Sequence, residues 1–376
     1  MRRPFCLAPT LITLLLLLLV IGCSKPATEN PFTYPFIKEF RLKREPGKPY
    51  SDYKAFYVLT EDFEPPVTTA SELAGIREVL KFASDLSSKY KIPWTHFVEA
   101  NTLAPAFTSD DEELKQRCRE MISNLKSMSE DGDDCELHLH GPLNRELLEQ
   151  LRSQEKLHVK QQGVDAIQPY RQRRSFFFNS FYGGSYHELV ANLTYGKRLL
   201  EKVLYDGKKQ VLAFRPGGWD HGSTSLDTLL YFHALSDSGL IANSGLSTGD
   251  FGGKNWRVGN DPGHNVARIS AGDDQIIEVS PTAGPGGYVN PVLPADLKKL
   301  ATSVGDAMPV LVSVYHLGGL LLQRDGLNEY EKKNADLQTE RELLERHFQT
   351  VSELAEARIL YPITLRELLT IVSEQQ

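Results

Sequence analysis

The stretch Cys135-Glu136-Leu137-His138-Leu139-His140-Gly141-Pro142 sets two histidines one residue apart at the end of a short apolar run. On a strand, residues i and i+2 face the same way, so His138 and His140 aim two imidazoles at one spot. Two neutral imidazoles are a common pair of ligands for zinc or a similar divalent ion. The same pattern also suits a hydrogen-bonded strand end. Three further polar groups stand where apolar runs stop. Residues 55–60 run into Glu61-Asp62-Phe63-Glu64, residues 211–214 into Arg215-Pro216-Gly217-Gly218-Trp219, and residues 310–315 into His316. An arginine so placed can hold a carboxylate by two parallel hydrogen bonds. Gly217 and Gly218 let backbone N–H groups come close to a substrate oxygen.

The elements that must position these groups alternate along the chain. Residues 69–89 carry Leu73, Ile76, Leu80, Phe82 and Leu86 near helical spacing, after a Thr69-x-x-Glu72 capping box. A strand is predicted at 92–99. Ser109-x-x-Glu112 then opens a helix to about 129, with Leu114, Cys118, Met121, Ile122 and Leu125 inward. Further helices are predicted at 146–157, 187–205, 223–238 and 338–358. Further strands are predicted at 240–243, 276–279 and 359–362. A last helix follows the capping box Thr364-x-x-Glu367. Strand and helix alternating in this way point to parallel β/α units. Residues 145–186 are irregular, with Arg171-Gln172-Arg173-Arg174 and Phe176-Phe177-Phe178, and read as an insertion that covers part of the body. Two Gly-rich loops hold aromatic residues that could contact substrate, Trp256 and Tyr288, beside Trp219 at the arginine strand. Gly284-Pro285-Gly286-Gly287 is not a phosphate loop, because the lysine and following helix of that motif are missing.

The N-terminus reads as a targeting segment. Arg2 and Arg3 precede an almost unbroken apolar run over 11–21, closed by Gly22-Cys23. This is short for a membrane span and resembles a bacterial lipoprotein signal, with cleavage before Cys23 and lipid on its sulfur. Ser24 is the non-acidic residue that, in Gram-negative lipoproteins, goes with the outer membrane. The expected location is therefore periplasm-facing on a lipid anchor. Removing residues 1–22 takes away two arginines and no acid, so a net charge of −7 becomes −9. An acidic body with no basic run argues against nucleic acid as a partner. Residues 23–50 are Pro-rich, with little periodicity, and read as a tether. Residues 51–376 suit an α/β barrel. Cys118 and Cys135 could pair in an oxidising compartment or stay as free buried thiols.

The order of these clusters resembles the polysaccharide deacetylase family, also called the NodB-homology family or carbohydrate esterase family 4, over about residues 55–372. The Thr60-Glu61-Asp62-Phe63-Glu64 stretch stands where that family ends its first strand in Thr-Phe-Asp-Asp. His138 and His140 stand at its metal-binding histidines, Phe214-Arg215-Pro216 at its Phe-Arg-Pro, Tyr315-His316 at its catalytic histidine, and Thr364-Leu365-Arg366-Glu367 at its C-terminal Thr-Leu-x-Glu. The resemblance implies a distorted (β/α) barrel of about seven strands. It also implies a divalent metal cofactor, zinc first among candidates, and an N-acetylated polysaccharide as partner. Two departures stand out. The histidines are separated by one residue where the family usually has three, and Phe63 falls at the usual position of the metal-binding aspartate. With Asp62 as base, Glu64 supplies the ligand. Alternatively Asp62 is the ligand and Glu61 or Glu64 the base.

The implied chemistry is amide hydrolysis. A metal on two histidines and one carboxylate activates water and polarises the carbonyl. Arg215 holds the base ionised, His316 protonates the leaving amine, and Gly217 and Gly218 are oxyanion contacts. The expectation is a lipid-anchored, metal-dependent deacetylase of envelope or exported polysaccharide. The alternative is a non-catalytic carbohydrate-binding or envelope-assembly lipoprotein that keeps the barrel, since a fold does not fix a function.

Overall fold

A computed structural model describes residues 37–65, 69–154, 185–217, 225–245, 265–271, 274–282, 307–317 and 337–375. Its centre is a run of parallel strands: β2 (Ala55–Phe63), β3 (Trp94–Glu99), β4 (Asp134–Leu139), β5 (Ala213–Pro216), β6 (Ala242–Asn243), β8 (Asp274–Val279) and β9 (Val310–Tyr315). β9 lies on one edge of β2. The other edge of β2 is divided, with β10 (Leu360–Ile363) along residues 55–58 and β3 along residues 59–63. Between β8 and β9 the seam is bridged without a ladder. Thr282 N donates to the Val312 carbonyl at 3.0 Å, and Asn265 Nδ2 donates to the Ser280 and Val310 carbonyls at 2.9 and 3.0 Å. Among the described residues, these seven parallel strands, with β10 parallel beside β2 as an eighth, curl into a distorted (β/α) barrel. β1 (Ile37–Glu39) and β7 (Val266–Ala271) add on antiparallel beyond β8.

Helices cover the strands: α1 (Ala70–Tyr90), α2 (Pro105–Thr108), α3 (Glu112–Glu130), α4 (Arg145–Gln154), α5 (Tyr186–Tyr205), α6 (Ser225–Asp237), α7 (Leu337–Glu356) and α8 (Leu365–Glu374). Among the described residues, no helix is long and apolar enough to cross a membrane. The capping boxes at Thr69 and Thr364 form as expected. The cap of α3 is corrected. Asp111, not Ser109, accepts from the first-turn N–H groups of Glu113 and Leu114, while Ser109 Oγ holds the Asp111 N–H instead. Leu114 and Ile122 are only half-buried, whereas Cys118, Met121 and Leu125 point into the core.

Inside the barrel, Phe56, Val58, Phe97, Ala213, Ala242, Ile277, Val279, Val310 and Val312 pack together. Below them, Arg366 at the start of α8 bonds Asp134 at 3.0 Å and Glu136 at 2.9 Å, closing the end opposite the site. Part of the segment that composition assigns to the tether belongs to this body. Residues 37–39 pair with β7, and Leu42 and Tyr50 are buried in the core. The body begins at Ile37 rather than at residue 51. Cys118 and Cys135 are free and buried. Burial pushes the Cys118 thiol up to about 11 and that of Cys135 well above the usual range.

Candidate metal and hydrolysis site

Parallel strands place their C-terminal ends on one side of a barrel, and ligand chemistry gathers there. β2 is nine residues long and buried throughout, so it runs past the apolar stretch and carries Glu61 and Asp62 inside the sheet. Buried acids are tolerated only when paired, and alternation sends these two to different partners. Asp62 faces the barrel interior, where Arg215 Nη1 reaches its Oδ1 at 2.6 Å. Glu61 faces the helices and meets His96 Nδ1 at 2.5 Å. That placement removes Glu61 as a base for the site.

Arg215 is fully buried, and its guanidinium carbon lies 4.0 Å from the centre of the Phe97 ring. The parallel pair of bonds expected for it is replaced by a spread. Nη2 donates to Thr60 Oγ1 at 2.9 Å and Ser244 Oγ at 2.8 Å, and Nε donates to the Ser244 carbonyl at 2.7 Å. Burial lowers the guanidinium pKa, and the charge and hydrogen bond of Asp62 offset that only in part. The result is a cation that orients one carboxylate oxygen and leaves the other, Oδ2, facing His316 Nε2 at 3.5 Å.

Glu64 lies just past the end of β2 and turns to the histidine pair. Its Oε2 is 3.2 Å from His138 Nε2 and is paired with His140 Nε2. The two rings are 4.9 Å apart and nearly perpendicular. Ligand atoms of Glu64, His138 and His140 all fall within 4.8 Å of one another. His138 Nδ1 lies 2.8 Å from the Arg215 carbonyl. A carbonyl only accepts, so Nδ1 carries a proton and His138 turns Nε2 toward Glu64. Nε2 and a carboxylate oxygen so close share a cation, either a proton carried by Nε2 or a metal ion. Zinc with nitrogen and oxygen ligands at about 2.0–2.2 Å spaces tetrahedral donors by little more than 3 Å. The donor set and the 3.2 Å Glu64–His138 spacing suit a divalent ion, and the closer Glu64–His140 pair must move apart to admit one. The surrounding field favours positive charge as well. Burial lowers the His138 pKa, but Glu64, Asp62 and Glu99 together raise it. Burial likewise raises the Glu64 pKa, and the two histidines outweigh it and hold the carboxyl well below its usual range.

His316 follows β9 with its side chain about a quarter exposed, 3.6 Å from Glu64 Oε1. Gly217 is buried against His140. A Cβ there would stand 2.6 Å from His140 Nδ1 and 2.7 Å from its Cα, so no side chain fits. Gly218, Trp219, Trp256, Tyr288 and the lipidation candidate Cys23 lie outside the described residues.

Sequence reasoning missed Glu99, Thr60 and Ser244. Glu99 carried a usable signal, since it ends an apolar strand just as His138 does. Its Oε2 accepts from His140 N at 2.6 Å and its Oε1 from Asn101 N at 3.1 Å. A cavity of about 340 Å³ opens beside the site, lined by Glu64, Pro65, Glu99, Asn101, Thr102 and His140.

No protein-family model and no curated protein matches the chain. Solved structures do. A polysaccharide deacetylase from Mycobacterium smegmatis, described as putative, is 12% identical with a TM-score of 0.48, over 90% of this chain and 96% of that one. A mutant of BA3943, described as a CE4 family pseudoenzyme with restored enzymatic activity, is 11% identical with a TM-score of 0.34, over 84% and 67%. A 4-alpha-glucanotransferase from Thermococcus litoralis is 11% identical with a TM-score of 0.42, over 84% and 38%.

Proposed function

We propose that the protein is a metal-dependent hydrolase that removes N-acetyl groups from a cell-envelope or exported polysaccharide. One observation carries this reading. The Glu64–His138–His140 cluster lies within 3.6 Å of His316, which also stands 3.5 Å from an arginine-held Asp62. Glu64, His138 and His140 would hold the ion. A divalent ion there supplies a water of lowered pKa and polarises an acyl carbonyl.

The chain's own groups do the rest. Arg215 bonds Asp62 Oδ1 and leaves Oδ2 turned outward. From there Asp62 takes the proton of the attacking water. His316 Nε2, partly open to solvent, hands a proton to the leaving nitrogen as the C–N bond breaks. Phe63 falls at the usual ligand position, and Glu64, beside the histidine pair, would supply the carboxylate instead. The test is acetate release from N-acetylglucosamine oligomers by the purified chain. Release should vanish on chelation and return with zinc. If a broad panel of N-acetylated glycans gives no metal-dependent acetate while one of them still binds, the reading gives way to a carbohydrate-binding protein.

The envelope location rests on the Cys23 segment. Cys23→Ser should abolish lipid labelling and partition into detergent, and unchanged labelling would overturn the anchor.

A further inference from the structure

The two histidines of the cluster are held very differently. His138 sits within β4, buried, with its ring fixed by the Arg215 carbonyl. His140 lies beyond the end of the strand, and its side chain is 52% exposed. Side-chain packing therefore does little to hold it. An exposed ligand that must be ordered on binding costs affinity through lost conformational freedom.

Main-chain contacts compensate. The Glu99 carboxylate, itself over nine-tenths buried, accepts from His140 N at 2.6 Å, and its other oxygen accepts from Asn101 N at 3.1 Å. Asn101 then ties down the following loop. Its Nδ2 donates to the Pro142 carbonyl at 3.1 Å and its Oδ1 accepts from Asn144 N at 2.7 Å. On the opposite side, the bare backbone of Gly217 lies against His140. A charge-assisted bond to a backbone N–H is among the stronger hydrogen bonds available for such a task.

We propose that Glu99 is a positioning residue of the metal centre. Its carboxylate fixes the His140 main chain and so sets the affinity of the Glu64–His138–His140 cluster for a divalent ion. This rests on the metal-site reading above but not on the deacetylase activity. Groups that orient metal ligands typically contribute 10- to 100-fold in affinity. Glu99→Gln keeps size and gives up one of the two acceptors. Glu99→Asp keeps the charge and withdraws the carboxylate by one methylene.

The experiment measures zinc dissociation constants for the full chain in detergent, with the melting temperature of each metal-free variant and the visible spectrum of each cobalt-loaded one. Both substitutions should weaken zinc binding at least about tenfold and shift the cobalt bands while the metal-free melting temperature holds. In a His140→Ala background, Glu99→Asp should change zinc affinity by less than about twofold, because two changes that act through one residue are not additive. Unchanged zinc affinity in Glu99→Asp overturns the proposal, since that outcome assigns Glu99 a role through charge alone. An equal loss in the His140→Ala background overturns it too. Should Glu99→Gln fail to fold, the Glu99→Asp pair decides the matter. Absence of acetate release with this coupling intact would sink the proposed reaction and leave the inference standing. A wild-type chain that binds no divalent ion would overturn the inference itself.

Discussion

Arg215 and His316 flank the same carboxylate but differ in what their loss removes. Arg215 is fully buried, and Asp62 beside it is nearly so. Taking away one partner of a buried ion pair strands the other charge, at a cost of about 3–5 kcal/mol. Arg215→Ala should therefore lower both turnover and stability. His316 is about a quarter exposed and sits at ion-pair distance from Asp62 rather than in a short bond. Being partly exposed, it should cost less stability on removal than Arg215. His316→Ala should keep the metal and the melting temperature while lowering acetate release by about 10²–10⁴-fold, the usual contribution of a positioned acid. Full turnover in that variant would assign the acid role elsewhere.

At the scale of the element, β2 does two jobs with adjacent residues. Asp62 turns into the barrel to the site, and Glu61 turns out into a buried chain with His96 and Asp133. The Asp133 carboxylate also accepts from Trp94 N at 2.9 Å and Ser87 Oγ at 3.1 Å, so β3 and the end of α1 are joined to the same chain. Burial pushes the His96 imidazole down, but Asp133 and Glu61 outweigh it and lift it to about 9. A histidine raised above its unfolded value stabilises the fold fully below about 6.5, and that stabilisation is lost as pH rises through its folded value. Over the interval from 7 to 9 His96 acts together with His138, which is also raised, while Glu136, raised to about 7 by burial, acts mainly at lower pH. The melting temperature of the chain should fall over that interval by several degrees. His96→Gln should melt lower at pH 7 and show a flatter profile. An equally steep fall in the variant would locate the pH sensitivity in another group.

At the scale of the whole molecule, strands and helices with clear period and caps were legible from residue order, β9 to the residue. β7 was not, because Val266–Ala271 interrupts its apolar pattern with Arg268 and Ser270 and follows a Gly- and Asn-rich stretch. β1 was hidden among prolines, and its strand character comes from pairing with β7 rather than from its own composition. Within the site, His138, His140, Arg215 and His316 were visible because polar residues stood where apolar strands stopped. The choice between Asp62 and Glu64 as ligand could not be read the same way. It depends on how far β2 continues, and burial of Glu61 and Asp62 against His96 and Arg215 decides that. Glu99 was visible only as an acid ending an apolar run; its partner, a backbone N–H, is recorded by no residue pattern.

The central claim is that Glu64, His138 and His140 form a metal centre. The most direct measurement is the metal content of the purified chain, wild type beside the His138→Ala, His140→Ala double variant. About one divalent ion per chain is expected in the wild type, and none in the double variant. Full occupancy in the double variant, or no ion in the wild type, would contradict the account.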